Sequence, residues 1–210
     1  RYYTSQHLKR RLGMRHEKDF LEIGSFTVSG LEDDFQGDTL SGLYQSSISG
    51  AAAAAAAIST GVVDGAILLD AGTDNAGRSD LSWGLHYRGD RSAVYIARFS
   101  LNAITTRKFE IGFTDVISGT DAGAVNSKSG NTWTAENAAV LCFDTDDDTL
   151  VTLMGVKATV AATVADLNVT LAAATYFYAG VALADDVATG FVLDANGRKL
   201  DEKKITAAVT

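Results

Sequence analysis

The densest group of residues that could do chemistry is the acidic turn at residues 144–148. Three of its aspartates, Asp144, Asp146 and Asp148, alternate along the chain. Alternating carboxylates can supply oxygens to a hard cation such as calcium, which binds them at about 2.3–2.6 Å. The helix-flanked calcium loop also needs glycine at its sixth position and glutamate at its twelfth, and this chain has neither there. The alternative is a solvated hairpin in which aspartate suits the turn geometry. We expect the hairpin and therefore assign no cofactor. The alternative is that the turn binds an ion, which would be calcium.

Nucleophilic catalysis has little support in the sequence. Cys142 is the only cysteine and lies in the apolar run 140–143, which predicts a buried, inert thiol and excludes an intrachain disulfide. His7 and His16 lie in a basic N-terminal segment, and His86 lies in a segment that reads as a strand or its edge. No Gly-x-Ser-x-Gly elbow accompanies these histidines. We therefore expect His86 to be structural.

Aromatic side chains offer binding without catalysis. Exposed indole and phenol rings stack on sugars. The candidates for such stacking are Trp83 and Trp133, and Tyr44 and Tyr87 are also available. The alternative is ordinary packing in the core or under loops, where these large rings contribute most of their energy. The sequence leaves both uses open.

Charge divides the chain into a basic start and an acidic body. Residues 1–20 carry six of the 18 Lys and Arg against two acids, a balance of +4. The remaining residues carry 12 basic and 24 acidic side chains, a balance of −12. An acidic body repels nucleic acid, while a short basic arm can dock on an acidic neighbour. We expect no nucleic-acid partner. We also expect no membrane span, because no apolar run reaches the required ~18 residues. The candidate anchoring charges are Lys9, Arg10, Arg11 and Arg15.

The pattern along the chain predicts an arm followed by many short strands. Residues 4–22 read as a helix that Ser5 could cap, and residues 25–28 read as a strand. From residue 31 onward, short alternating segments are broken by Gly, Asp and Asn, with no proline anywhere in the chain, which is typical of an antiparallel sandwich. The clearest strands are predicted at 94–101, 109–114, 138–143, 150–156, 166–171, 175–183 and 191–193.

Two alanine-rich stretches are ambiguous. The seven alanines at 51–57 would favour helix in an isolated peptide, yet they could form a strand whose small side chains let sheets or subunits approach closely. We favour the strand. The stretch at 158–165 reads as a loop or a strand.

Two short motifs carry a resemblance. The run D-D-F-Q-G-D-T begins at Asp33, and the run F-E-I-G-F-T-D begins at Phe109. Together they resemble the concanavalin A-like, laminin-G-like jelly-roll domain of tailed-bacteriophage virion proteins. The resemblance implies an all-β, two-sheet antiparallel jelly-roll sandwich at residues 31–210, preceded by a helical or extended basic arm at residues 1–30.

The resemblance also implies a function. It indicates a non-enzymatic virion protein, a capsid decoration or head-fibre protein, whose partners are capsid, neck or tail proteins and further copies of itself, with a trimer expected. The alternative is a receptor- or carbohydrate-binding module of a tail fibre or spike. One departure from the family is the polar run 198–204, where the resembling domains continue with further strands. The chain therefore either lacks its last strands or leaves a sheet edge open to a neighbour.

A sugar-cleaving enzyme is the third interpretation of such a sandwich. Retaining glycosidases need two carboxyl groups about 5–5.5 Å apart, and related glucanases place them on one strand as Glu-x-Asp-x-Glu. The comparable positions are Glu110, Gly112 and Thr114, so one carboxylate of three remains. Asp115 points to the opposite face of a regular strand. We therefore expect no hydrolysis here.

Overall fold

The protein is described from a computed structural model, which defines residues 33–35, 39–50, 55–59, 65–73, 77–83, 92–116 and 123–206. Every regular element in these ranges is a β-strand, so the all-β class predicted from the sequence is confirmed for them. The same ranges contain no helix that is long and apolar enough to cross a membrane.

The strands of the described ranges follow one another at short intervals, separated mainly by turns. In chain order they are β1 (Gln45–Ser49), β2 (Ala55–Ile58), β3 (Ile67–Asp70), β4 (Arg78–Ser82), β5 (Ala93–Ser100), β6 (Lys108–Thr114), β7 (Val125–Ser127), β8 (Thr132–Trp133), β9 (Ala138–Asp144), β10 (Val151–Lys157), β11 (Val160–Ala161), β12 (Ala165–Leu167), β13 (Tyr176–Ala184), β14 (Val187–Leu193) and β15 (Lys199–Thr206).

Two large antiparallel sheets dominate this part of the chain. The five-stranded sheet has the order β11–β10–β9–β6, with β12 also paired to β10. The four-stranded sheet has the order β15–β14–β13–β5. Within the described ranges, three two-stranded ribbons accompany them: β1 with β4, β2 with β3, and β7 with β8.

The two large sheets pack face to face across one apolar core. Along β13 the odd-numbered residues from Phe177 to Leu183 are buried, whereas Tyr176 at the start of the strand is exposed, so the strand turns one face inward. The buried odd positions of β9 and β10 meet them from the other sheet. The core includes Ala139, Leu141, Phe143, Val151, Leu153, Phe177, Ala179, Val181, Leu183, Ala188, Val192 and Ile205.

The five-stranded sheet is buried on its other face as well. Six consecutive residues of β9 and six of β10 are buried, which explains why β9 reads as an unbroken apolar run and β10 as one interrupted only by Thr152. Their even-numbered side chains pack against residues 123–137, which contain the β7–β8 ribbon and which we call the cover segment. This second cluster consists of Ala124, Val125, Ala135, Ala138, Val140, Cys142, Met154 and Val156, with Val116 and Trp133 at its margin.

A row of aromatic rings joins the β1–β4 region to the sandwich. The ring of Trp83 lies between Tyr44, with centroids 5.8 Å apart, and Tyr95 of β5, at 5.3 Å. Tyr95 in turn meets Phe113 of β6 edge to face at 6.4 Å. Because β5 and β6 are edge strands of the two sheets, this row covers one open side of the sandwich.

The chain divides into two compact units, Arg1–Leu40 with Ile58–Ile67, and Ser41–Ala57 with Leu68–Thr210. Both large sheets belong to the second unit. In the first, Asp33 Oδ1 accepts a hydrogen bond from the Phe35 amide at 2.7 Å. Gly65, at φ +67°, lies so close to this turn that a Cβ would sit 2.1 Å from the Asp34 carbonyl oxygen. Only glycine fits that position.

The predicted strands agree with the observed ones to within a few residues, except that 166–171 contributes only the end of β12 and 191–193 belongs to the longer β14. The described part of the alanine run, 55–57, lies in strand β2, as favoured, while 51–54 lie outside the described residues; the stretch 158–165 contains β11. The polar run 198–204 is mostly strand β15 at an edge of the four-stranded sheet, not a segment beyond it. The predicted arm with its helix at 4–22, and the strand at 25–28, lie outside the described residues.

Candidate functional site

The residue with the greatest chemical interest, Glu110, lies under the cover segment. β6 directs it toward the second face of the five-stranded sheet, opposite Cys142 of β9. One carboxylate oxygen of Glu110 accepts a hydrogen bond from the Ala124 amide at 2.8 Å, and the Val125 amide lies 3.3 and 3.4 Å from the two oxygens. Lys108 Nζ lies 3.5 Å from Oε1. The carboxylate is thus used to hold the start of β7.

Burial dominates the electrostatics of this cluster. It raises the pKa of Glu110, since the bonds from Lys108 and the two amides only partly offset the loss of water around the charge. Burial, and then the neighbouring Glu110 charge, raise the pKa of the Cys142 thiol to about 12. A thiol with that pKa is not nucleophilic near neutrality. The prediction of a buried cysteine is confirmed, and its inertness stays a prediction.

The rest of the F-E-I-G-F-T-D motif has structural uses that are visible in the contacts. Gly112, at φ +151°, passes so close to β9 that a Cβ would lie 2.2 Å from the Ala139 carbonyl oxygen. Asp115 accepts hydrogen bonds from the amides of Glu136 and Asn137, at 3.2 and 2.8 Å, and from Asn137 Nδ2 at 3.2 Å. The second carboxylate of the motif therefore secures the far end of the cover segment and does not converge on Glu110.

The acidic turn joins β9 to β10, as the hairpin interpretation predicted. Asp144 Oδ1 accepts the Asp146 amide at 3.2 Å, and Asp148 Oδ1 accepts the Leu150 amide at 2.7 Å, so two aspartates shape the turn itself. Asp147 accepts the Ser129 amide at 2.8 Å and the Ser129 hydroxyl at 2.6 Å. Within the described residues there is no group of three or more His, Cys, Asp or Glu side chains arranged to hold a metal ion.

Lys128 is the most deeply buried charge at this site. Its side chain is 3% exposed, and its ammonium group pairs with Asp148 and donates to the Leu150 carbonyl oxygen at 2.8 Å. A buried ammonium without such partners would be strongly destabilising. Nothing in the sequence around Lys128 distinguishes it from a surface lysine, because its partners lie about 20 residues further along the chain. Sequence reasoning missed it for that reason.

The two tryptophans lie in different surroundings. Trp133, in β8, is half-buried at the margin of the second cluster, and its Nε1 donates to Asn131 Oδ1 at 3.1 Å. Trp83 is in van der Waals range of Tyr44 and Tyr95, and its Nε1 has no hydrogen-bond acceptor among the described residues. Both indoles thus pack against protein on part of their surface, and sugar stacking on the remainder stays a prediction.

The basic residues Lys9, Arg10, Arg11 and Arg15, and all three histidines, lie outside the described residues. Their roles as anchoring charges or structural groups therefore stay predictions. Comparisons of the chain with protein-family models, with curated proteins and with solved structures found no match.

Proposed function

We propose that the chain is a non-enzymatic structural protein of a tailed-phage virion, namely a capsid decoration or head-fibre protein built on a concanavalin-like jelly roll. Two facing antiparallel sheets in the described residues agree with that architecture. The phage resemblance of the two motifs supplies the biological assignment, and localisation in the virion follows from it.

One observation carries the non-enzymatic part of the proposal. Glu110, the only carboxylate at the positions where a glucanase-like sandwich would have three, is 16% exposed at its side chain and bonded to two backbone amides and a lysine. A general acid or nucleophile must reach its substrate within hydrogen-bonding distance. Glu110 is committed to a loop instead, which supports a structural role.

The surface of the described residues suits contact with other proteins. Large apolar side chains are exposed on separate strands, with Val94 at 64% and Leu68 at 53%. Aliphatic side chains of this kind seldom bind sugars but commonly contact neighbouring subunits. Capsid, neck or tail proteins and further copies of the chain, with a trimer expected, are the partners we propose. The arm is basic whereas the body is acidic. Within the arm, Lys9, Arg10, Arg11 and Arg15 would anchor the chain to its partner.

Co-sedimentation with virus particles that lack this chain tests the assignment. Full-length protein should pellet with the particles, and replacement of the four arm charges by glutamine should abolish pelleting or weaken it at least about tenfold, with strong salt dependence. The matched control removes four charges from the other end of the chain, at Arg198, Lys199, Lys203 and Lys204. Equal binding by the arm variant and the unmodified protein would exclude the arm as the anchor. A full-length protein that never pellets would contradict the virion assignment.

A second candidate function, glycan binding, is favoured by the partly exposed indole of Trp133. Its Nε1 is already held by Asn131, so the ring is fixed for stacking. Saturable binding on a glycan array that Trp133→Ala loses and Trp133→Phe keeps would favour a receptor-binding module over decoration. Trp83→Ala is the less informative variant, because its ring also packs on Tyr95.

A further inference from the structure

The cover segment is held to the sandwich mainly by polar contacts. Of its own apolar side chains, Ala124, Val125 and Ala135 are buried and Trp133 packs at the margin, and two of the three buried ones are alanines. The face beneath it is far more apolar and includes Val140, Met154 and Val156. The attachment of the segment therefore depends on hydrogen bonds and ion pairs more than the packing of the two large sheets does.

These polar contacts fall at three places: the start of β7, where Glu110 accepts the Ala124 amide, the turn at 128–131, and the end next to β9. At the end next to β9, Asp115 binds the amides of Glu136 and Asn137, and the chain continues directly into the strand. Between the two ends, the turn at 128–131 binds the acidic turn, and Asn131 Nδ2 donates to the Ala162 carbonyl oxygen at 3.0 Å. There Lys128 pairs with Asp148, and Ser129 donates twice to Asp147. Two aspartates thus hold the turn in the middle of the segment, together with the bond from Asn131.

We propose that the cover segment is an acid-released lid: protonation of Asp147 and Asp148 frees its turn at 128–131 and uncovers the second apolar face of the five-stranded sheet. The two ends act as hinges, because Glu110 holds Ala124 and Asp115 holds Asn137. The two large sheets, which share a separate core, stay packed.

The charge of Lys128 drives the opening. While Asp148 is ionised, the buried ammonium group has a counter-ion; once Asp148 is neutral, the only bond left to that group among the described residues is to the Leu150 carbonyl. An uncompensated buried charge is more stable in water, so Lys128 leaves its site and takes the turn with it. The other charged groups near this turn are Asp144 and Asp146 of the same hairpin.

The direction of the pKa shifts gives the pH window. Bonds from the Ser129 hydroxyl and amide lower the pKa of Asp147. Burial would raise the pKa of Asp148, but bonds from Lys128 and the Leu150 amide outweigh it, so that pKa too is lowered. Groups with lowered pKa values stabilise the closed lid above their unfolded pKa, and this stabilisation is lost as the pH falls through the closed-state value. We therefore expect opening below about pH 4.

Glu110 acts in the opposite sense. It faces Lys108 and Cys142, and burial raises its pKa, so proton uptake by Glu110 favours the closed lid. This group therefore delays opening as the pH falls and cannot cause it. Glutamine is neutral like the protonated acid, so Glu110→Gln should leave the acid opening in place.

The single cysteine reports on the lid. Cys142 is fully buried beneath the segment, so its reaction with 4,4′-dithiodipyridine, which proceeds in acid, measures opening. Between pH 6 and about pH 2.5 we expect the rate to rise at least about tenfold while the β-sheet circular dichroism is unchanged. Asp147→Asn/Asp148→Asn should react fast even at pH 7. The control, Asp185→Asn/Asp186→Asn in the β13–β14 turn, should keep the original profile.

A further variant separates the lid from general acid unfolding. Lys128→Met removes the buried charge, so its thiol should stay protected in acid. Hydrogen exchange at the Ser129 amide should follow the same order among the variants. The proposal is overturned if thiol reactivity rises only together with loss of the sheet signal, if Lys128→Met opens in acid like the unmodified protein, or if the Asp147/Asp148 variant stays protected at neutral pH.

Discussion

The Asn168 amide donates a hydrogen bond to Asp201 Oδ2 at 2.7 Å and so joins the two large sheets. Asn168 follows β12 of the five-stranded sheet, and Asp201 lies in β15 of the four-stranded sheet. The same carboxylate accepts the Glu202 amide at 2.8 Å and lies 3.5 Å from Lys203 Nζ. The polar strand β15 therefore contributes to the sandwich through a charged side chain as well as through Ile205 in the core.

We predict that Asp201→Ala lowers the free energy of unfolding by about 1 kcal/mol, since the amide of Asn168 loses a charged acceptor at a partly solvated site. The bond from Asn168, then that from Glu202, lower the pKa of Asp201. The decrease in the free energy of unfolding caused by Asp201→Ala should therefore have its full size above the unfolded pKa of about 4. It should disappear in more acidic solution, where the carboxylate of the unmodified protein is protonated. Urea titrations at pH 7 and pH 3 measure it. Glu202→Gln, which removes only an exposed pair with Lys199, should change little.

We predict that Gly112→Ala destabilises the protein by about 3 kcal/mol or more, because the new Cβ would collide with the backbone of β9 and cannot be relieved by a side-chain rotation. A Cβ there would lie 2.2 Å from the Ala139 carbonyl oxygen, at a φ of +151°. Thermal or urea unfolding measures the loss. Gly42→Ala is the control, since nothing lies within 4 Å of the position that its new methyl group would take. Similar stability for the two variants would contradict the close approach of β6 to β9.

The parts of the fold that sequence predicts well are those governed by local alternation. β5 and β13 each turn alternate residues toward the core, and their bounds shift by only one residue from the expected ones. β9 and β10 are also predictable, because an apolar run of six residues, interrupted in β10 only by Thr152, suits a doubly buried strand between turn residues. In each case the signal lies within the strand itself.

The cover segment could not be predicted, because its contacts join residues far apart in the chain. Residues 123–137 are rich in Gly, Ser, Asn and Thr, which reads as an ordinary loop. The bond from Ala124 to Glu110 spans 14 residues, and that from Asn131 Nδ2 to the Ala162 carbonyl spans 31. Likewise, the sequence marks Glu110 as a lone carboxylate but does not indicate its partners. Spacing alone cannot show which amides a buried acid will bind.

We predict that Cys142→Ser costs about 1–3 kcal/mol, since it places a hydroxyl in an apolar site beside Val140 and Met154. Cys142→Ala should cost less, because it adds no polar atom to the second cluster. In the unmodified protein the raised thiol pKa of about 12 means that the folded state keeps this proton longer than the unfolded state does. Stability should therefore fall as the pH rises above about 9, and the alanine variant should lack that part of the fall. Urea midpoints at pH 7 and pH 10 compare the two.

The last prediction concerns the independence of the two apolar clusters. Leu141 and Cys142 are consecutive in β9 and face opposite sides, Leu141 toward the four-stranded sheet and Cys142 toward the cover segment. Leu141→Ala should cost about 2–5 kcal/mol, because it leaves a cavity between the two large sheets, whereas Leu200→Ala on exposed β15 should cost under about 1 kcal/mol. The acid-dependent thiol reactivity of Leu200→Ala should match that of the unmodified protein.

Val140→Ala, on the cover side, tests this independence directly. If it lowered global stability as much as Leu141→Ala while leaving Cys142 protected at every pH, the cover segment would be an integral layer of the sandwich. We expect Val140→Ala to speed the thiol reaction more than it lowers the urea midpoint, because the cover segment can open while the core that contains Leu141 stays closed.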